Sequence, residues 1–595
     1  MLEGELVAFR TIAAGGRNVF RTIAQLALLA ASIVAAIYAP VYVVALIAGG
    51  GSLALNFLLP FEPKAPQVPN TTALPESSPT YSINAQGNRA RLGEPIPVVY
   101  GEPVMFPDFA STPFRQYTAT NDEYVNELFV VSHGEADVED ILLGDAPLAS
   151  FADSKFEVIK PGSSVTLFDP NWINATSIGG QETEENKVLG PFPVCRAGLM
   201  ASKIEIDLSA PGGLYRFRDN NYEGFYESAH ADFKIDVREI DDDAAPLGSW
   251  MTLASTVRMY GQDASPTAVK RSFKFQLPKL ARFEVQLTRT NGVIKSNGYS
   301  VTYWSGCKAL VDASLIFPNM TLLAVRLKAT NQIANQNENR VSCKVKRKIP
   351  VWDGLNWTMK HSKSAVWSIV DMLRNKHYGA GMDESSFVLE ELLALDKKLA
   401  KRGDFFNGVI DRQLSISQAV SQAARVGRCF AFIQAGRLRL IRDEKTTAPV
   451  QVFNTDNIVK DSFAFSFVFW GKTRAKAIAM EFFDSKLRAI NHVEEKVTNA
   501  LAGVVSQVQF FGVDNADHAK REARFEHAQQ LYRRRRVQFE CEMEALLLSP
   551  GDLIRIETPF EGIGTINAKV MAIRPGRNLR STIEAIIDDP RVYVN

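Results

Sequence analysis

The sequence predicts a multidomain chain, mainly β with α+β modules, preceded by an N-terminal apolar helical segment. Three observations predict it. Short strand-like runs between Gly, Pro, Asn and Asp turns fill residues 81–345, and helical spacing appears after residue 350. No charged residue stands between Arg21 and Glu62. A length of 595 residues suggests roughly four domains of about 150 residues. The composition shifts give 1–61 as an amphipathic and apolar segment and 62–80 as a Pro-rich linker. Then follow 81–185 as a β-rich domain, 186–345 as an inserted β-sandwich-like domain, 346–450 as an α+β domain, and 451–595 as a β-rich domain with one long helix.

The N-terminal segment begins with FRTIA at 9–13 and again at 20–24, a period that puts both Phe and both Ile on one helix face. Residues 26–48 are uncharged and long enough to span a bilayer if the kink at Pro40 is tolerated. Gly49, Gly50 and Gly51 end this run, and 53–59 is too short to span alone. Leu26, Ile33, Ile37, Val41, Val44, Leu46, Leu53 and Leu59 are the candidates for contact with lipid or with one another. A secretory signal peptide fits poorly, because the core is too long and no small-residue cleavage site follows. The linker after it is extended, since its prolines block helix and ladder alike.

Downstream, strands are expected at 96–100, 127–131, 165–168, 203–208, 231–238, 272–276, 283–288 and 322–328, as a small barrel followed by a sandwich. Helices are expected at 364–376, from a cap at Asp383 to about 401, at 415–426 and at 516–534. CFAFIQAGRLRLIRD at 429–443 reads as strand, glycine turn, strand. In VQFECEMEALL, Val537, Phe539, Cys541, Met543 and Ala545 alternate with Gln538, Glu540, Glu542 and Glu544, which predicts one apolar and one acidic strand face.

A net charge of +1 gives no electrostatic reason to expect a nucleic acid or an acidic polymer as the main partner. The five scattered cysteines form no zinc spacing and no disulfide framework, which suits folding in a reducing cytoplasm. No nucleophile elbow, P-loop, zinc helix or dinucleotide fingerprint is present, and none of the seven histidines has a second ligand at metal spacing. The acidic run at 241–243 lacks the alternating ligands of a calcium loop. The basic run at 533–536 lacks interleaved aromatics, and its reading is structural or subunit contact. The expectation is a protein without catalysis, cofactor or metal.

Several stretches together resemble the phage tail tip attachment protein J family, also called host-specificity proteins. QGNRARLGEPIPVVYGE at 86–102 resembles its signature, carried here by Asn88, Arg91, Gly93, Pro95, Pro97 and Gly101. ARFEVQLTRT, TLLAVRLKATNQI, IPVWDGLNW, SAVWSIVDMLRNKHYGAG, FFNGVI, YRRRRVQFECEM and LSPGDLIRI follow in the family's order. Larger members continue into fibronectin-like and receptor-binding parts, whereas this chain stops at Asn595, so the resemblance implies a short member.

It implies a baseplate-hub-like fold of small β-barrels and sandwiches in a homotrimeric ring. That ring would close the distal end of a non-contractile tail and take part in attachment, envelope penetration and DNA ejection. Implied partners are its own copies, the distal tail protein, other tail tip proteins and the end of the tape measure protein. The host membrane and phage DNA in transit complete the set. The chain would be made in the host cytoplasm and reside at the virion's tail tip. Glu540, Glu542 and Glu544 would line the lumen, and the three apolar segments would plug the tube until triggered. Two other readings stay open: a membrane-anchored bacterial surface protein with β-domains, and a carbohydrate-active enzyme using those glutamates.

Overall fold

The structure, a computed structural model, describes residues 88–593 except 92, 176–177, 219–225, 263–265, 313–315, 330–339, 435, 468–476, 497–504, 558–563 and 577–578. The apolar segment from Leu26 to Leu59 and the Pro-rich linker lie outside the described residues. Among the described residues strands predominate, and no sheet closes into a barrel. The expected small barrels are therefore replaced by open sheets and one sandwich.

Two compact units divide the chain: a helical unit of 93–105 and 344–593, and a sandwich unit of 88–92 and 106–343. Each is discontinuous, because the chain leaves the helical unit after Met105 and returns at Lys344. Linear boundaries drawn from composition cannot express this arrangement.

The sandwich unit contains a second insertion. Strands Asp108–Phe109, Glu123–His133, Met320–Lys328 and Lys155–Ile159 form a carrier sheet in that order, with Phe114–Tyr117 paired to Glu123–His133. Between Lys155–Ile159 and Met320–Lys328 the chain builds a sandwich. One of its sheets runs Gln181–Glu182, Tyr303–Val311, Ala201–Ala210, Val269–Ala281, and the other Val188–Pro193, Phe283–Arg289, His230–Glu239, Met251–Tyr260. Alternation sends Ile204, Ile206, Leu208, Phe233, Ile235, Val237, Val285 and Leu287 into one core. The expected strand at 322–328 thus lies inside the carrier sheet, between Glu123–His133 and Lys155–Ile159, and not in the sandwich. No strand forms at 165–168, where the Thr166 and Leu167 N–H groups donate to the Glu157 carboxylate at 2.9 and 2.7 Å.

In the helical unit, strand Val98–Tyr100 pairs antiparallel with Gly408–Ile410. Helix α1, Ala365–Arg374, starts where the Ser364 hydroxyl accepts from the Trp367 N–H, and it is buried on every side through Leu373. Helix α2, Leu389–Arg402, buries only Leu392 and Leu399 and ends on left-handed Gly403. Asp383 does not cap it: a 3₁₀ turn, Glu384–Ser386, intervenes, and the helix starts at Leu389. Helix α3, Ile416–Val426, opens with a reciprocal Ser415–Gln418 capping box. The hairpin Cys429–Gln434 and Arg437–Arg442 forms as expected.

Six strands then make one open sheet in the order Gln451–Phe453, Leu553–Glu557, Thr565–Pro575, Ser581–Ile587, Arg535–Cys541, Ala464–Phe467. Helix α4, Ala516–Tyr532, is capped by Asn515 and buries Ala519, Ala523 and Phe525.

Gly101 has φ +76°, and a Cβ there would strike the Phe406 carbonyl and Asn407. Gly93 also has positive φ, at +83°, but open space around it. Gly101→Ala is predicted to destabilise the chain by about 2–4 kcal/mol, against about 1 kcal/mol for Gly93→Ala. Comparative thermal melts of the two variants check this difference.

Candidate functional site

Two of the resembling stretches, 96–102 and 405–410, meet in the helical unit. In the register of Val98–Tyr100 on Gly408–Ile410, Val98 faces Ile410 and Tyr100 faces Gly408, so the VVY and GVI runs of two distant motifs pair directly. The Asn407 Oδ1 accepts from the Glu102 N–H at 2.8 Å, fixing the chain just beyond Gly101. Pro95 and Pro97 are buried beside this strand.

Beneath the pair lies a charged node. The Asp371 Oδ2 accepts from the Tyr378 hydroxyl at 2.6 Å, the Tyr100 hydroxyl at 3.0 Å and the Arg347 guanidinium at 3.3 Å. Arg347 also donates to the Tyr378 hydroxyl, and its guanidinium lies 5.3 Å from the Tyr100 ring centroid. All four side chains are buried, Arg347 at 4% and Asp371 at 5% exposure, and both tyrosines at 0%. Burial pushes both tyrosine hydroxyls upward, with the Asp371 charge adding to it. They stay protonated as donors.

Asn88 and Arg91 belong to the sandwich unit and act as a staple there. The Asn88 amide donates to the carbonyls of Pro107 and Val341 at 2.8 Å each, and accepts from the Val341 N–H at 2.7 Å. Arg91 forms an ion pair with Asp108.

A cleft of ≈ 310 Å³ in the helical unit is lined by Glu102, His361, Lys363, Asp396, Asp404 and Phe405. Its carboxylates are engaged. Glu102 pairs with Lys363 at 3.1 Å and Lys344 at 3.2 Å, and Asp396 accepts from the Trp367 indole N–H at 3.1 Å. Buried Asp404 faces Arg402 at 3.0 Å, Arg521 at 3.1 Å, Arg442 at 3.4 Å and the His518 Nε2 at 3.7 Å. Against the upward push of burial, these cations hold both Glu102 and Asp404 below the usual carboxylate range. Neither is poised as a proton donor. Among the described residues no group of three or more His, Cys, Asp or Glu is placed to hold a metal.

Arg533, first of the basic run, is buried and structural. It forks onto Asp443, which also accepts from Lys569 at 3.0 Å and the Tyr593 hydroxyl at 2.9 Å. The acidic face expected from Glu540, Glu542 and Glu544 does not form. The strand stops at Cys541, Glu542 precedes the 3₁₀ turn Met543–Leu547, and Glu544 lies inside that turn. Met543, expected inward, is 59% exposed. Alternation in the sequence continued past the point where the Glu542 backbone, at ψ −121°, breaks the strand. The lumen-facing assignment therefore loses the shared face on which it rested.

Residues 415–573, from the α3 cap through most of the six-stranded sheet, match a family model described as a putative phage tail protein. This stretch is similar to a phage tail protein domain. That stretch contains Asp443, Arg533 and Lys569. No curated protein matches this chain. A chain in the virion of a native gene transfer agent particle is 10% identical, with 86% of this chain and 88% of that one covered and a TM-score of 0.41. A 43 kDa tail protein of prophage MuSo2 from Shewanella oneidensis is 10% identical, covers 66% of this chain and 95% of its own, and has a TM-score of 0.25. A tail protein from Neisseria meningitidis MC58 is 11% identical, with coverage of 70% and 98% and a TM-score of 0.26.

His518 supplies a pH dependence. Its Nε2 lies 3.0 Å from the Val426 carbonyl and so carries the proton in the neutral ring. Burial lowers its pKa to about 4, although Asp404 pulls the other way. The unfolded chain, at about 6.5, binds the extra proton first, so stability falls as pH drops from about 6.5 to about 4. The predicted loss by the end of that window is on the order of 2–3 kcal/mol. Thermal melts across it check this, and His518→Gln, which keeps a donor to Val426, is expected to flatten the profile.

Proposed function

We propose that this chain is a structural hub protein at the tip of a long, non-contractile phage tail. It closes the distal end of the tail tube as a homotrimer and takes part in host attachment, envelope penetration and DNA ejection. The match of residues 415–573 to the phage tail protein family carries this reading. The motif order supports the tip position, since the 96–102 and 405–410 stretches that resemble the tail tip attachment family also pair with each other. A structural role without catalysis is supported by a cleft whose carboxylates are all held in ion pairs or hydrogen bonds. The partners proposed are the distal tail protein, the other tail tip proteins and the end of the tape measure protein. The apolar segment around Val44 is proposed as a plug that meets the host membrane on triggering.

Antibody labelling and direct imaging of intact and DNA-ejected virions test the assignment. The expected result is three copies at the distal tail end of each particle. Label along the tail shaft, on the capsid, or confined to host membranes would overturn it.

A further inference from the structure

A hairpin of the helical unit holds a leucine out into solvent. Strand Val341–Trp352 pairs antiparallel with Trp357–His361, Trp352 opposite Trp357, and the turn between them carries Leu355, which is 82% exposed. One exposed leucine is ordinary on a protein surface. What sets Leu355 apart is how firmly its turn is held.

The Asp353 Oδ1 accepts from the Leu355 and Asn356 N–H groups at 2.8 Å each, and the Asp353 N–H donates to the Asn356 carbonyl at 3.1 Å. Gly354, at φ +113°, sits against Leu393 of α2, where an added Cβ would stand 3.5 Å from its methyl. Behind the turn, the Trp357 ring centroid lies 5.6 Å from that of Trp352 and 5.8 Å from that of Trp367. The Arg374 guanidinium covers the Trp357 ring at 4.1 Å, and the indole N–H donates to Glu384 at 3.0 Å.

At the other end of strand Trp357–His361 opens the ≈ 310 Å³ cleft. His361 belongs to its wall, and Leu399, Ala400 and Phe405 give it an apolar side. The strand's five residues put about 14 Å between the turn and the cleft, so Leu355 does not reach the cleft of its own chain. The carboxylates of the cleft are already engaged within the chain, so an apolar side chain entering it strands no charge. Lys363 in the wall keeps 41% of its side chain exposed. Asp353, beside Leu355, uses only Oδ1 in its turn and has Oδ2 open to an outside cation.

We propose that Leu355 of one copy seats in this cleft of the next copy, against Leu399, Ala400 and Phe405, with Asp353 reaching Lys363. A knob and a cleft at opposite ends of one strand make the contact head-to-tail, which builds a ring where the rotation closes. A turn held this firmly loses little conformational freedom on docking, so a small apolar contact retains most of its binding free energy. The contact rests on the geometry of the helical unit; only closure at three copies rests on the tail tip reading.

Mass photometry and sedimentation velocity on the full chain test it, in mild detergent that masks the apolar segment at 26–59. Leu355→Asp spoils the knob and Ala400→Trp fills the cleft, and both positions are exposed, so the fold is expected to hold. Each variant alone is expected to weaken self-association at least tenfold. Mixed in equal amounts, the two are expected to form one-to-one dimers and nothing larger, since one intact knob meets one intact cleft. The proposal is overturned if the wild-type chain stays monomeric, the outcome for a leucine that serves a different protein. It is equally overturned if either variant associates as the wild type does, or if the mixture stays monomeric. Virion labelling separates the two readings: tip label with unaltered Leu355→Asp association removes only this contact, and head-to-tail association with label elsewhere removes only the tip assignment.

Discussion

The Asp371 carboxylate organises the helical unit. It sits near the middle of α1, and its single oxygen Oδ2 gathers two tyrosine hydroxyls and a guanidinium from three other parts of the chain. Tyr100 comes from the strand paired with Gly408–Ile410, Arg347 from the strand that re-enters the unit after the long insertion, and Tyr378 from just beyond α1. A carboxylate taken out of water this completely is tolerated only with its partners in place. The position of the re-entering strand is therefore specified by a charge, while the surrounding Val98, Ile349, Trp367 and Phe406 fill volume.

The same device recurs. Asp404 is held by three arginines, Asp443 by Arg533, Lys569 and Tyr593, and Glu522 by Arg428 at 2.8 Å. Each joins segments far apart in sequence. Ion pairs of this kind contribute less net stability than apolar packing of equal volume, but breaking one side leaves an uncompensated charge. Discontinuous units need such registration, because hydrophobic burial is non-directional and does not by itself specify which strand returns where. In the sandwich unit, Lys308 plays this part between two layers whose cores are separate, and Asn88 does so with neutral hydrogen bonds.

Local structure was legible where local chemistry decides it. The helices beginning near 364 and 415, the glycine turn between Cys429–Gln434 and Arg437–Arg442, and the alternation of Ala201–Ala210 follow from spacing alone. Misreadings arose where distant groups intervene. Residues 165–168 alternate like a strand, but the Glu157 side chain takes their N–H groups. The acidic alternation past Cys541 was ended by a backbone turn. An inserted sandwich was expected at 186–345, but its carrier was not, because nothing in the composition near 105 marks the chain leaving one unit. Of the site, the motif residues Asn88 and Gly101 were singled out, but Arg347, Asp371 and Asp404 carried no signal: a lone charge in an apolar stretch reads the same whether paired or solvated.

Fixed charge and shape are what this fold supplies, and the node around Asp371 is where both are set. A double-mutant cycle on Asp371→Asn and Arg347→Met, read by denaturant unfolding of the full chain, tests that most directly. Each single change is expected to cost about 3–5 kcal/mol by stranding its partner, with the double variant recovering at least about 2 kcal/mol of the summed loss. Strict additivity of the two changes would contradict the account.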